Sequence, residues 1–280
     1  MTIYRRLRTW AAAIGGLAAS LLLHLPAQAH EFWMLPDRFA PAAGTPVSLT
    51  LAVGENFSGE QVGFSRDLVA SFRAYSAAGI TDLGAGLAAG SPTGTFKVPI
   101  ARSGTHVIAM DSHPSRITLS ADKFHAYLRE EGLDFIAKAR EAAGTANTPG
   151  RERYRRNVKV LVQAGAQSDA TFARRTGQLL EIVPMSDPHV HVSRRPIEFQ
   201  VFFDSKPLQG ALLKFWNKDF GQVMIVRTIT DADGKVKFTP PWPGTWMAST
   251  VHMVAARESP ASREDDWDSY WGNLTFALRN

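Results

Sequence analysis

The chain has no cysteine among its 280 residues. Disulfides are therefore excluded, and so is any metal site built on thiolate. Metal donors would have to come from histidine, carboxylate, methionine or a free N-terminus. Net charge is also small once the first 29 residues are set aside. Lys and Arg total 31 against 26 Asp and Glu. Arg5, Arg6 and Arg8 lie in that first stretch with no acid beside them, which leaves 28 against 26. So balanced a chain gives no electrostatic basis for binding nucleic acid. The longest apolar run, AAAIGGLAASLLL, is short for a membrane span. Gly-x-Ser-x-Gly, His-Glu-x-x-His and a phosphate loop are all missing, so the sequence offers no enzyme signature. The acidic neighbours Glu130-Glu131 and Asp265-Asp266 are adjacent in sequence and do not face one substrate. The methionines are scattered, unlike those of a Met-rich Cu(I) carrier.

What is present begins with an export signal. Three arginines, an apolar stretch and the small-residue site Ala27-Gln28-Ala29 predict cleavage after Ala29, with 1–29 as signal peptide. The mature chain then starts at His30, in a periplasmic location. From 30 to 118 short apolar or alternating runs (VSLTLAVGE, VASFRAYSA, GTHVIAM) alternate with Gly, Pro and Ser turns, the pattern of an antiparallel sandwich. From 119 to 176 the periodicity turns helical. Phe124, Tyr127, Leu128, Leu133, Ile136 and Ala139 share a face, Ser120 stands as N-cap and Gly132 interrupts the run. A further helix is predicted over 151–163, RERYRRNVKVLVQ, with Tyr154, Val158, Leu161 and Val162 on its apolar face. Its charged start reads as a solvated helix face, with a phosphate-binding patch as the other reading. From 177 to 280 seven strand-like runs return, a second sandwich. Asp231-Ala232-Asp233-Gly234 reads as a tight turn, since it lacks the later ligands of a calcium loop.

Several stretches together carry a resemblance: HEFWMLPDRF, FHAYLREEGLDFI, RERYRRNVKVLVQAG, EIVPMSDP and DDWDSYWGNLTFAL. They resemble the bacterial exported family called domain of unknown function 4198, which carries the label of a nickel-uptake substrate-specific region or a periplasmic component of cobalt and nickel transport. The resemblance covers essentially the whole mature chain. It implies an exported β-rich protein that binds a metal or assists its uptake. The segment KPLQGALLKFW with TDADGKVKFTPPWPGTWMAS is also similar to transthyretin-like or carboxypeptidase-regulatory modules. The expected fold is thus mainly β: two immunoglobulin- or transthyretin-like sandwiches with a helical insert between them.

An N-terminal His30 would offer its α-amine and its imidazole to one ion, a nitrogen chelate suited to Cu(II) or Ni(II). His252, on a predicted strand and matching a His-Met position of the family, is the expected second ligand. It should share a face with Thr250 and Val254. His189 and His191, spaced i and i+2, would point to one side of an extended chain and could share a metal; an exposed loop is their plainer reading. His106, His113 and His125 read as structural or exposed. Asp265, Asp266 and Asp268 could give a hard oxygen ligand or form a solvated acidic turn. The expectation is a protein that binds Ni, Co, Cu or Zn, acting with an inner- or outer-membrane transporter and not as an enzyme. Copper oxidative chemistry at His30 is the enzymatic alternative. A non-catalytic module binding protein or carbohydrate through its tryptophans is the other class.

Overall fold

The computed structural model describes residues 31–88, 94–191, 194–217, 224–257 and 264–279. The chain is mainly β. Its first part forms β1 (Glu31–Pro36), β2 (Val47–Glu55), β3 (Ser58–Val62), β4 (Val69–Ser76), β5 (Gly79–Asp82), β6 (Phe96–Val98), β7 (Gly104–Ser112) and β8 (Ser115–Leu119). Two helices follow, α1 (Ala121–Glu130) and α2 (Asp134–Ala142). The long β9 (Gly150–Ala164) precedes β10 (Leu180–Pro184), β11 (Ile197–Phe203), β12 (Lys206–Pro207) and β13 (Leu212–Asn217). The chain closes with β14 (Met224–Ile229), β15 (Lys235–Phe238), β16 (Gly244–Ala255) and β17 (Trp267–Leu278).

A nine-stranded sheet runs β14-β13-β16-β17-β9-β7-β4-β5, with β8 also paired to β9. Strands from both expected sandwiches meet in it, because β9 pairs antiparallel with β7 and parallel with β17. A four-stranded sheet of β1, β2, β3 and β6 covers one face of this large sheet. A second four-stranded sheet, of β10, β11, β12 and β15, covers the other. Side chains alternate accordingly. Val158, Val160 and Val162 of β9 join the first core, and Leu161 joins the second.

The helix predicted over 151–163 is therefore a strand. Both of its faces are buried in its C-terminal half, so the run reads as almost continuously apolar. The 3–4 spacing of Tyr154, Val158 and Leu161 arises by coincidence from period-2 alternation on two buried faces. Three valines at alternate positions favour the strand.

The helical hairpin matches its expectation. Ser120 occupies the N-cap position, although its side chain makes no capping hydrogen bond. Gly132 ends α1 with φ +68°, a backbone conformation that favours glycine. A Cβ there would lie 2.7 Å from Cβ of Leu212, so the turn sits directly on β13. Phe124, Tyr127, Leu128, Leu133 and Ile136 pack on Val251 and Met253 of β16. Buried Glu152 adds a polar tie, accepting hydrogen bonds from Tyr127 Oη at 3.3 Å and from Ser269 Oγ. The 231–234 segment is the expected turn: Asp231 Oδ1 accepts from the backbone N–H of Asp233 and of Lys235.

Candidate functional site

Three distant segments bring charged side chains into one buried place. Lys214, in the apolar strand LLKFWN, faces the first small sheet while its neighbours Leu213 and Phe215 enter the opposite core. Glu31 reaches it from the start of β1, and Glu131 from the turn after α1. Lys214 Nζ lies 3.0 Å from Glu31 Oε1, 2.8 Å from Glu131 Oε1 and 2.7 Å from Glu131 Oε2. Trp216 Nε1 donates to Ser249 Oγ at 2.9 Å, and Ser249 Oγ donates to Glu31 Oε1 at 3.1 Å.

The hairpin β2–β3 forms the adjoining wall. Asn56 and Phe57 both have positive φ, 53° and 55°, as a two-residue type I′ turn requires. Phe57 tolerates this because it buries its ring edge-on against Trp33 at 5.4 Å. The result is a cavity of about 190 Å³ lined by Glu31, Glu131, Lys214 and Trp216, by Gly54, Glu55 and Asn56 of the hairpin, and by Glu130, so the adjacent pair Glu130-Glu131, not expected to face one substrate, borders one space at the helix end.

Among the described residues two buried carboxylates share one ammonium. Burial pushes Glu131 up to about 7; Lys214 opposes this, while Glu31 and Glu130 reinforce it. Lys214 is itself held above its ordinary value, because its two carboxylates outweigh the cost of burial. Glu130 and Glu131 also stand at the C-terminal end of α1, where the helix dipole disfavours negative charge.

The histidines lie elsewhere. His30 falls outside the described residues. His252 does share a face with Thr250 and Val254, opposite the face on which Ser249 meets Glu31. Its ring sits 4.4 Å from Phe203 and 5.9 Å from Phe135, and burial lowers it to about 4. His189 and His191 are not on an extended chain. His189 belongs to the single 3-10 turn Pro188–Val190, whose 120° step per residue breaks the alternation. His189 is buried and brought down to about 4 by that burial, against the pull of Asp187. His191 turns its Nε2 to Arg195 O at 2.9 Å. Among the described residues no three His, Asp or Glu side chains form a metal-holding group.

The other charged candidates neutralise one another. Arg116 pairs with Asp265 at 3.0 Å, Arg151 with Asp266 at 2.6 Å, and Arg153 with Asp268 through two bonds of 2.6 and 2.8 Å. Parallel pairing of β9 with β17 brings Arg151 and Arg153 alongside these acids. The basic run, for which a phosphate patch was only the alternative reading, and the acidic turn, read as oxygen ligand or solvated turn, are thus two sides of one ion-pair ladder.

The sequence pattern of the family described as Domain of unknown function (DUF4198) matches residues 27–254. The chain belongs to this family. No curated protein matches this DUF4198 protein. Among solved structures it is similar to the D0-D1 domain of Intimin, at 16% identity over 87% of this chain and 96% of that one, with TM-score 0.22. A tetra-tandem repeat in the extending region of a large adhesion protein matches at 10% identity, 90% and 50% coverage and TM-score 0.22. Dimeric latent PorU from Porphyromonas gingivalis matches at 11% identity, 94% and 21% coverage and TM-score 0.18. At such TM-scores the superpositions define no shared architecture.

In this DUF4198 protein the buried charge cluster was hidden from sequence reasoning. Its members are separated by about a hundred residues or nearly so, and only Lys214 left a trace: a lone lysine inside an apolar strand. Such a residue must find a counter-charge inside the fold.

Proposed function

We propose that this protein binds a divalent transition metal in the periplasm and serves its uptake, with the mature N-terminal His30 as chelating residue. The observation that carries this reading is the position of Glu31. Residue 30 is joined to a buried side chain that lines a cavity with four carboxylates: Glu31, Glu55, Glu130 and Glu131. An α-amine and an imidazole at that point would find oxygen donors beside them. A mixed nitrogen and oxygen set of this kind suits nickel, cobalt, copper or zinc. The surplus negative charge of the cavity fits a cation.

His252 lies on the other face of its strand, so the nearby carboxylates are the better partners of His30 in this reading. His189, buried in its turn, and His191, bonded to Arg195, have no part in it.

The test is calorimetric titration of Ni(II), Co(II), Cu(II) and Zn(II) into protein beginning at His30 and into the same protein with one Ala added before it. The extension removes the amine–imidazole chelate, so tight binding should be lost. Equal weak binding by both proteins would sink the metal reading and favour a module that binds protein or carbohydrate.

A further inference from the structure

Lys214, Glu31 and Glu131 put one amine and two carboxyls in contact inside the fold. Their side chains are 2%, 7% and 2% exposed, and they arrive from β13, the start of β1 and the turn after α1. A second buried lysine shows what an inert pair looks like. Lys159 Nζ lies 3.0 Å from Glu181 Oε1, but Arg175 and the Thr176 backbone N–H also bond that carboxylate. Those donors hold Glu181 in its charged form, whose carbon resists attack by an amine.

The Lys214 triad differs in two respects. Among the described residues the side-chain hydrogen bonds of Glu31 converge on Oε1, from Lys214 Nζ at 3.0 Å and from Ser249 Oγ at 3.1 Å, and Trp216 Nε1 steadies that hydroxyl at 2.9 Å. The Ser249 hydroxyl thus stands where charge would develop on Oε1 if the carbon were attacked, and Oε2 is left to depart. Second, Glu131 brings its own carboxyl within 2.8 and 2.7 Å of the same Nζ. Its Oε2 receives no aligned hydrogen bond among the described residues, which leaves a place for a proton beside the nitrogen.

We infer that Lys214 and Glu31 condense to an amide, with Glu131 as the proton carrier. Lys214 Nζ first passes a proton to Glu31 Oε2, which gives a neutral amine and a carboxylic acid. Nζ then attacks Cδ of Glu31. Glu131 donates its proton to the departing Oε2 hydroxyl and takes one from Nζ. The Nζ–Cδ bond forms, the Cδ–Oε2 bond breaks, one water leaves, and Glu131 ends protonated as it began. No oxidant or reductant takes part. Lys214 is mostly ammonium, so the amine is a rare form and the reaction is slow. In a chain without cysteine the product is a covalent tie between the first strand and the large sheet. The inference uses neither residue 30 nor a metal, and it leaves Glu55, Glu130 and Glu131 as the carboxylates of the cavity.

The experiment is mass spectrometry of the exported protein, freshly purified and after several days at neutral pH, intact and after trypsin digestion. The expected product is lighter by one water. Its digest joins the peptide carrying Glu31 to one that runs uncut through Lys214. Lys214→Arg and Glu31→Ala should keep full mass, and Glu131→Gln should slow the loss of water by about a hundredfold. Full mass at all times, with Lys214 cut by trypsin, overturns the inference, as does a joined peptide carrying Glu131 in place of Glu31. Equal rates in Glu131→Gln and the parent overturn the proton-carrier role, and a water lost at Lys159 and Glu181 as well overturns the need for the triad. The mass readout needs no metal and the calorimetric titration needs no cross-link, so either reading can fail while the other stands.

Discussion

Two buried charge clusters lie on opposite faces of the same nine-stranded sheet, and they are mirror images in charge. On one face Lys159 and Arg175 share Glu181; on the other, Glu31 and Glu131 share Lys214. The first is a closed structural tie. Burial alone would raise Glu181, but Lys159, Arg175 and the Thr176 backbone N–H outweigh it and bring the carboxyl down to about 2. Burial lowers Lys159 in turn, although Glu181 works against this. The second cluster leaves a carboxylate that resists ionisation and a cavity beside it. One lysine in an apolar strand looks the same in both stretches, VKVLV and LLKFW; what differs is who completes the set, and whether the completing group reaches water.

Removing the lysines should break the comparison most sharply. Lys214→Met strands two carboxylates in the interior and should destabilise by roughly 3–5 kcal/mol in urea unfolding at neutral pH. Lys159→Met leaves Arg175 on Glu181, so its cost should be smaller, about 1–3 kcal/mol. A larger loss from Lys159→Met than from Lys214→Met would reverse the ranking of the two clusters.

The next effect is in pH. Glu181 has a depressed folded value, so its stabilisation is present above pH 4.5 and is lost as pH falls toward about 2. Glu131 is raised, so its contribution is present below pH 4.5 and is lost as pH rises through about 7. Buried Glu152, raised to about 6 by burial, acts in the same direction. His189 and His252, held down to about 4 by burial, act in the opposite sense below about pH 6.5, so the carboxyls are read as differences between variants. From pH 5 to 8 the urea midpoint of Glu131→Gln should rise relative to that of the parent protein, and Glu152→Gln should show a smaller rise over a lower range. A slope unchanged by both substitutions would mean that these carboxyls do not hold protons in the folded state.

The smallest expected effect is at Trp216. Trp216→Phe removes one donor to Ser249 and keeps the ring in its core, at a cost of about 1 kcal/mol. A neutral result would show that water replaces that donor.

Much of the fold was legible because it depends on local pattern. Alternating apolar runs and Gly- and Pro-bearing turns announced a β protein. Phe124, Tyr127, Leu128 and Ile136 announced the helical hairpin, and Gly132 its break. The strand 150–164 was missed for a physical reason: a strand buried on both faces loses its alternation, and a charged start in front of an apolar end imitates an amphipathic helix. The histidine pair 189 and 191 was misplaced because the 3-10 turn at Pro188 is set by Asp187, which caps it, and not by any periodicity. For the candidate site, His30 was singled out from the cleavage pattern together with the family resemblance, while Glu31, Glu131 and Lys214 carried no motif.

By itself the sequence determined the β character, the helical hairpin, the absence of thiol chemistry and a family, since these rest on composition, short-range periodicity and matched segments. Only the tertiary structure decided which charges meet. Parallel pairing of β9 with β17 turned a basic run and an acidic turn into one neutral ladder. Packing of β1 and the α1–α2 turn over β13 gathered Glu31, Glu131 and Lys214 into a cavity. Contacts between residues so far apart in the chain follow from sheet order and layer packing, which no local stretch of sequence encodes.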